Sequence, residues 1–189
     1  MNLFYKLSLL MGVVVVISNY LVQFPVQLFG LQDILTYGAF SYPITFLITD
    51  LANRAYGKIV ARKIVYIGFL IGILLTLFIS TNFKDIISIR IAIGSGLAFF
   101  IAQNLDVQIF HFLRKRSWFV APLVSSTLAS IIDTFLFFLI AFYATGIEWF
   151  TLALGDLSVK LFITLIMLIP FRIFIQRVRD FSENSISSS

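Results

Sequence analysis

The chain has 189 residues, 60% of them apolar and only 12% charged, with a mean hydropathy of +1.01. An average soluble domain is about 25% charged, so this composition excludes a water-exposed globule and predicts a chain solvated largely by lipid. Cysteine is absent and His111 is the only histidine, which excludes disulfides, thiolate metal sites, cysteine nucleophiles and a multi-histidine metal centre.

Eleven of the 14 Lys and Arg residues fall in four clusters: Lys6; Arg54, Lys58, Arg62 and Lys63; Arg114, Lys115 and Arg116; Arg172, Arg177 and Arg179. Six apolar stretches lie between the charges. Short cytoplasmic loops are enriched in Lys and Arg. The alternation predicts an all-α polytopic membrane protein with six transmembrane helices and both termini in the cytoplasm. The +5 net charge is then a topology signal, and no nucleic-acid partner is implied.

A spanning helix takes about 20 residues, so six spans fill the chain and leave no room for a soluble domain. The first span covers 3–23; Ser18, Asn19 and Tyr20 offer no small-x-small cleavage site, so it is not read as a signal peptide. A loop with Pro25, Gly30 and Asp33 follows. The second span covers 35–53 and is interrupted at Tyr42–Pro43, since proline removes a helix hydrogen bond. The basic inner loop is 54–63. The third span, 64–81, leads to an outer loop with Asn82, Lys84 and Asp85. The fourth covers 87–110, with Gly94 and Gly96 allowing close packing. A second basic loop covers 111–118, and the fifth span 119–144. Glu148 and Trp149 lie in the last outer loop. The sixth span covers 156–176, with Pro170 near its end. Residues 1–179 form one membrane domain, and 180–189 a polar tail of disordered composition.

A charge within a span costs at least ~2.5–3.5 kcal/mol and normally faces the bundle interior. Asp50 closes the second span with Thr49 and Asn53 beside it. Asp106 follows Gln103 and Asn104 in the fourth. Asp133 sits near the middle of the fifth, on a line with Ser126 and Ser130. Asp156 and Lys160 open the sixth, four apart with the acid first, the favourable order for a helical pair. Asn19 and Gln23 share a face of the first span. Tyr20, Tyr42, Phe46, Phe110 and Trp118 adjoin these positions. Each acid also has a structural reading: a local pair for Asp156–Lys160, neutralisation by Arg54 for Asp50, pairing with Arg114 for Asp106.

Acids, amides and aromatic rings in a membrane interior suit a flat, neutral heterocycle. A carboxylate accepts two parallel hydrogen bonds from a guanine-like N1–H and 2-amino edge, and an aromatic ring stacks on its face. No GxSxG, HExxH or Walker A sequence is present, and no enzyme activity, cofactor or metal is expected.

Several ordered strings resemble the queuosine precursor transporter family, which is related to the vitamin uptake transporters. They are Ser18-Asn19-Tyr20-Leu21-Val22-Gln23-x-Pro25, Gly38-Ala39-Phe40-Ser41-x-Pro43, and Phe46-Leu47-x-Thr49-Asp50-Leu51 with Arg54, Gly57 and Ala61-Arg62. Leu105-Asp106-Val107 with Phe110 and Leu113-Arg114, then Ala121-Pro122, Ser126-Thr127, Asp133-Thr134, Asp156, Lys160 and Pro170 continue the pattern. The resemblance covers about 17–171. It implies uptake across a bacterial inner membrane of a 7-deazaguanine, the 7-cyano or 7-aminomethyl compound. Its motifs and the physical reading coincide on Asp50, Asp106 and Asp133.

The expected substrate-binding set is therefore Asp106, Asp133, Asp50, Gln103, Asn19, Asn53, Tyr42 and Phe46. Asp106 and Asp133 are expected on the deazaguanine edge, with Asp156 and Lys160 as a coupling or gating ion pair. Partners are the small-molecule deazapurine and the lipid membrane, with a homo-oligomer left open. The alternative is a substrate-binding subunit of an energy-coupling-factor type transporter, which needs ATPase partners.

Overall fold

The structure, a computed structural model, describes residues 3–27, 35–79 and 86–187. Gly30, Asp33, Asn82, Lys84 and Asp85 lie outside the described residues. The helices are α1 Leu3–Leu21, α2 Gly38–Ser41, α3 Pro43–Tyr56, α4 Lys58–Ile79, α5 Ile86–Leu113, α6 Val120–Phe142 and α7 Trp149–Ser187. The all-α class is as expected. Among the described residues four helical stretches are long and apolar enough to cross a membrane: Phe4–Leu21, Ile89–Leu113, Val120–Phe142 and Trp149–Gln176.

The bundle is polar inside and apolar outside. Leu70, Phe78, Phe112, Phe162 and Ile169 are exposed, while Asp50, Asp106, Asp133, Asp156 and Lys160 are buried. In water such a surface would be an aggregation liability; against lipid tails it is the solvated face.

The expected interruption at Tyr42–Pro43 separates α2 from α3. Pro43 sits at the first position of α3, where its missing N–H costs nothing. The carbonyl of Tyr42 accepts from the Thr45 backbone N–H at 3.0 Å and from its Oγ1 at 2.7 Å. Gly38, at the start of α2, lies so close to α1 that a Cβ would stand 2.9 Å from the Val22 Cα.

Three helix boundaries differ from expectation. The loop expected at 54–63 contracts to the single residue Gly57, which has φ +80° and ψ 175°. That region is open essentially to glycine alone, so the chain turns within one residue, and Lys58, Arg62 and Lys63 become part of α4. At the other end, α7 begins at Trp149 instead of 156. Asp156 and Lys160 therefore lie two and three turns inside it, not at a helix start. Finally, α7 continues through Ser187, past the helix end expected at 176. A helix already nucleated adds one hydrogen bond per residue, so polar composition alone does not end it.

The short α3 is central, packed against α1, α4, α5, α6 and α7. Around it the longer helices approach through glycines. A Cβ on Gly68 would meet Met11 Cγ at 2.2 Å, and one on Gly72 would meet Val15 Cγ1 at 2.3 Å. This small-xxx-small stripe on α4 seats α1. Gly94 packs on Ile140 of α6 and Gly96 on Ile73 of α4, the close packing expected of these two glycines.

Arginines tie the ends of the bundle. Arg54 donates from Nη1 to the Arg114 carbonyl, and Arg114 Nη2 returns a bond to the Arg54 carbonyl at 3.2 Å. They join the end of α3 to the α5–α6 connection, a region referred to below as the basic end. At the opposite end Arg90 donates to the carbonyls of Ile140 and Tyr143 at 2.9 and 2.8 Å, satisfying acceptors that the C-terminus of α6 leaves without helical partners.

Candidate functional site

The ionisable groups inside the bundle gather in two layers, with Phe46 between them along α3. The first layer is built by α6 and α7. Lys160 Nζ lies 2.9 Å from Asp133 Oδ2 and 2.7 Å from Asp156 Oδ2. It also donates to Thr134 Oγ1 at 3.1 Å, and that hydroxyl donates to Asp156 Oδ2 at 3.0 Å. The ammonium also lies 5.1 Å from the centroid of the Tyr42 ring, a cation–π arrangement. Lys160 is 4% exposed, and both acids are buried as deeply. The formal charge is −1, from one lysine and two aspartates. Both contacts of Lys160 use Oδ2 atoms, which leaves the Oδ1 atoms of the two acids outside the ion pair.

Tyr42, Asp133, Asp156 and Lys160 line a narrow cleft with Asn19, Val22, Gly38, Ser95 and Phe137. The cleft is mostly apolar with few convergent polar groups, the usual make-up of a small-molecule site.

The second layer lies toward the basic end, where α3, α5 and α6 meet. Ser126 Oγ is 3.2 Å from Asp50 Oδ2 and 3.5 Å from Asp106 Oδ1. Ser125 Oγ is 3.5 Å from Asp50 Oδ1. A smaller cleft adjoins Asp50 and Ser126, and α7 closes it with Thr164, Met167 and Phe171.

Between the layers Phe46, Ala102 and Ala129 form a buried apolar contact. Phe46 is one turn from Tyr42 on one side and one turn from Asp50 on the other. Phe46 thus lies between the Lys160 layer and the aspartate pair along α3 and lines the second cleft.

The expected site residues divide accordingly. Asn19, Tyr42, Asp133, Asp156 and Lys160 meet at the first cleft. Asp50 and Asp106 meet at the second layer, with Phe46 as the divider. Asp106 and Asp133 do not converge on one ligand edge: Ser126, which touches Asp106, is seven residues from Asp133 on α6, ~10.5 Å along the axis. Gln103 accepts from Thr49 at 2.6 Å and donates to Thr45 at 2.8 Å, while Asn53 donates to the Val107 carbonyl at 2.8 Å. Both amides bridge α3 to α5 and line neither cleft.

Arg54 and Arg114 join each other's backbones rather than neutralising Asp50 or Asp106. Thr134 and Ser125 were not singled out as ligands by spacing, although each is adjacent to a polar residue that was. The link from Lys160 to Asp133 joins two helices, which no periodicity along one helix reveals.

Residues 36–175 match the family model described as "Putative vitamin uptake transporter". The "Queuosine precursor transporter" of Escherichia coli K12 is 34% identical, over 98% of this chain and 94% of that protein. The "Probable queuosine precursor transporter" of Haemophilus influenzae is 34% identical over 83% of this chain and 79% of its own length. That of Bacillus subtilis is 30% identical over 88% and 84%. No solved structure matches the chain. A polar-cored helical bundle with an apolar surface and this sequence similarity defines a membrane transporter. The chain belongs to the queuosine precursor transporter family.

Proposed function

We propose that this protein is an inner-membrane uptake transporter for queuosine precursors, 7-cyano-7-deazaguanine or 7-aminomethyl-7-deazaguanine. It crosses the membrane six times with both termini in the cytoplasm. The short α2–α3 pair and α4 complete the set begun by the four long apolar helices, and the basic end is cytoplasmic. The observation that carries the substrate reading is the buried Lys160–Asp133–Asp156 cluster opening on a mostly apolar cleft beside Tyr42.

In this reading a carboxylate of the cluster accepts the N1–H and 2-amino protons of the deazaguanine edge. Lys160 holds that carboxylate in place and offsets its charge. Asn19 offers an amide to the exocyclic carbonyl, and the Tyr42 and Phe137 rings supply the apolar walls. Asp133 takes the recognition role expected of it. Asp106 moves with Asp50 to the cytoplasmic half, beyond Phe46.

Phe46 is the barrier to free passage. Phe46→Ala removes a buried side chain, a change that costs about 3–5 kcal/mol where the void stays dry. Here the void joins two polar layers and fills with water. Efflux of preloaded substrate from vesicles is expected to accelerate, and wild-type efflux rates for this variant would remove Phe46 from the pathway.

Counterflow with a panel of ligands tests the substrate. The 7-cyano and 7-aminomethyl deazaguanines are expected to compete strongly, with guanine and queuine weaker. Equal competition by all purines contradicts the assignment.

A further inference from the structure

The second polar layer is not needed to hold the substrate, and its hydrogen bonds do not close. Asp50 and Asp106 offer four carboxylate oxygens, and each residue is at most 2% exposed. Two hydroxyl hydrogens, from Ser125 and Ser126, face them. Ser126 is within reach of both acids but has one proton to give. Asp106 Oδ2 is buried with no hydrogen-bond partner. Neither acid takes part in an ion pair, and the ion pairs found among the described residues belong to Lys160.

An independent observation comes from α7. Thr164 lines the same cleft as Asp50 and Ser126, is 5% exposed, and its Oγ1 has no hydrogen-bond partner. The carboxylate side of the cleft lacks donors, and the Thr164 hydroxyl oxygen across it has lone pairs free to take part.

We propose that Asp50, Asp106, Ser125, Ser126 and Thr164 form a binding site for one exchangeable small cation, a proton or Na⁺, separate from the substrate cleft. Two like charges in one buried site disfavour joint ionisation, and a single positive charge between them removes that conflict. A proton would sit between the two carboxyl groups. Na⁺ would engage the same oxygens and recruit the hydroxyl of Thr164, since hard cations take several oxygen ligands.

On α3, the charged neighbour is Arg54, which donates to the Arg114 carbonyl. On α6, Asp133 is two turns away beyond Phe46, and α7 contributes Thr164, Met167, Leu168 and Phe171. Where the ion binds is independent of the transport reading. Its use as the driving ion rests on that reading.

The experiment uses the purified full chain without deazapurine. Thermal stability and radioactive sodium binding are followed with Na⁺ against choline, and the carbonyl stretch of a protonated carboxyl group is followed by infrared difference on changing pH. A sodium response that Asp106→Asn removes and Thr164→Val weakens by about tenfold, equivalent to ~1.4 kcal/mol, assigns the site to Na⁺. A carboxyl stretch lost in Asp50→Asn or Asp106→Asn and kept in Thr164→Val assigns it to a proton. Wild-type protein that shows neither response overturns the proposal, whether or not the variants fold. In vesicles, cation binding without deazaguanine movement leaves the site standing and contradicts the substrate reading. Accumulation that needs no ion gradient and is unchanged in both Asp variants contradicts the driving role.

Discussion

Asp133→Asn is expected to insert and fold like the wild type and to lose uptake by at least about 100-fold, roughly 2.7 kcal/mol of lost transition-state stabilisation. The fold survives because the change relaxes the charge balance. Lys160 keeps its 2.7 Å contact to Asp156, and the cluster goes from −1 (one lysine, two aspartates) to 0. The loss falls on recognition. An amide presents one acceptor oxygen and a donor NH₂ in place of two acceptor oxygens. It therefore meets the paired N–H donors of a deazaguanine edge with a mismatched group, and leaving a buried polar group unpaired costs more than a missing bond. Initial uptake rates, normalised to membrane-inserted protein, check this. Wild-type transport by Asp133→Asn would take that carboxylate out of the mechanism.

Lys160→Met acts in the opposite direction on charge. Removing the ammonium takes the cluster from −1 to −2 and leaves Asp133 and Asp156 buried beside each other with Thr134 as the remaining partner. Breaking a buried pair by removing one member costs about 3–5 kcal/mol. The expected result is a protein of low yield and sharply reduced thermal stability in detergent. Adding Asp133→Asn to Lys160→Met returns the formal charge to −1 and should recover much of the melting temperature without recovering uptake. A double variant no more stable than Lys160→Met alone would show that charge is not what the cluster balances.

The sequence was most legible where physics acts along one helix. Apolar runs and proline placed the membrane helices and the interruption at Tyr42–Pro43, and the expense of charge in lipid singled out all five ionisable residues of the two polar layers. It was least legible where helices meet. Asp156 and Lys160 are readable as an i,i+4 pair, but the second bond of Lys160, to Asp133, depends on how α6 and α7 are rotated against each other. In the same way, Asp106 and Asp133 look equivalent as buried acids, and only the packing of Phe46 on Ala102 and Ala129 puts them in different layers. Gln103 and Asn53 were plausible ligands by chemistry. Their bonds to α3 and α5 partners show interhelical satisfaction of polar groups, which serves lipid-embedded packing as well as ligand binding does. The Gly68–Gly72 stripe was not singled out from the sequence, and its use became apparent only from the seating of Met11 and Val15.

Uptake of radiolabelled 7-cyano-7-deazaguanine by the purified chain, reconstituted alone in liposomes, tests the central claim most directly. Saturable accumulation in the absence of any ATPase, abolished by Asp133→Asn, is the predicted result. Tight binding without movement across the membrane would contradict it and assign the chain to the class of binding subunits that need partner proteins.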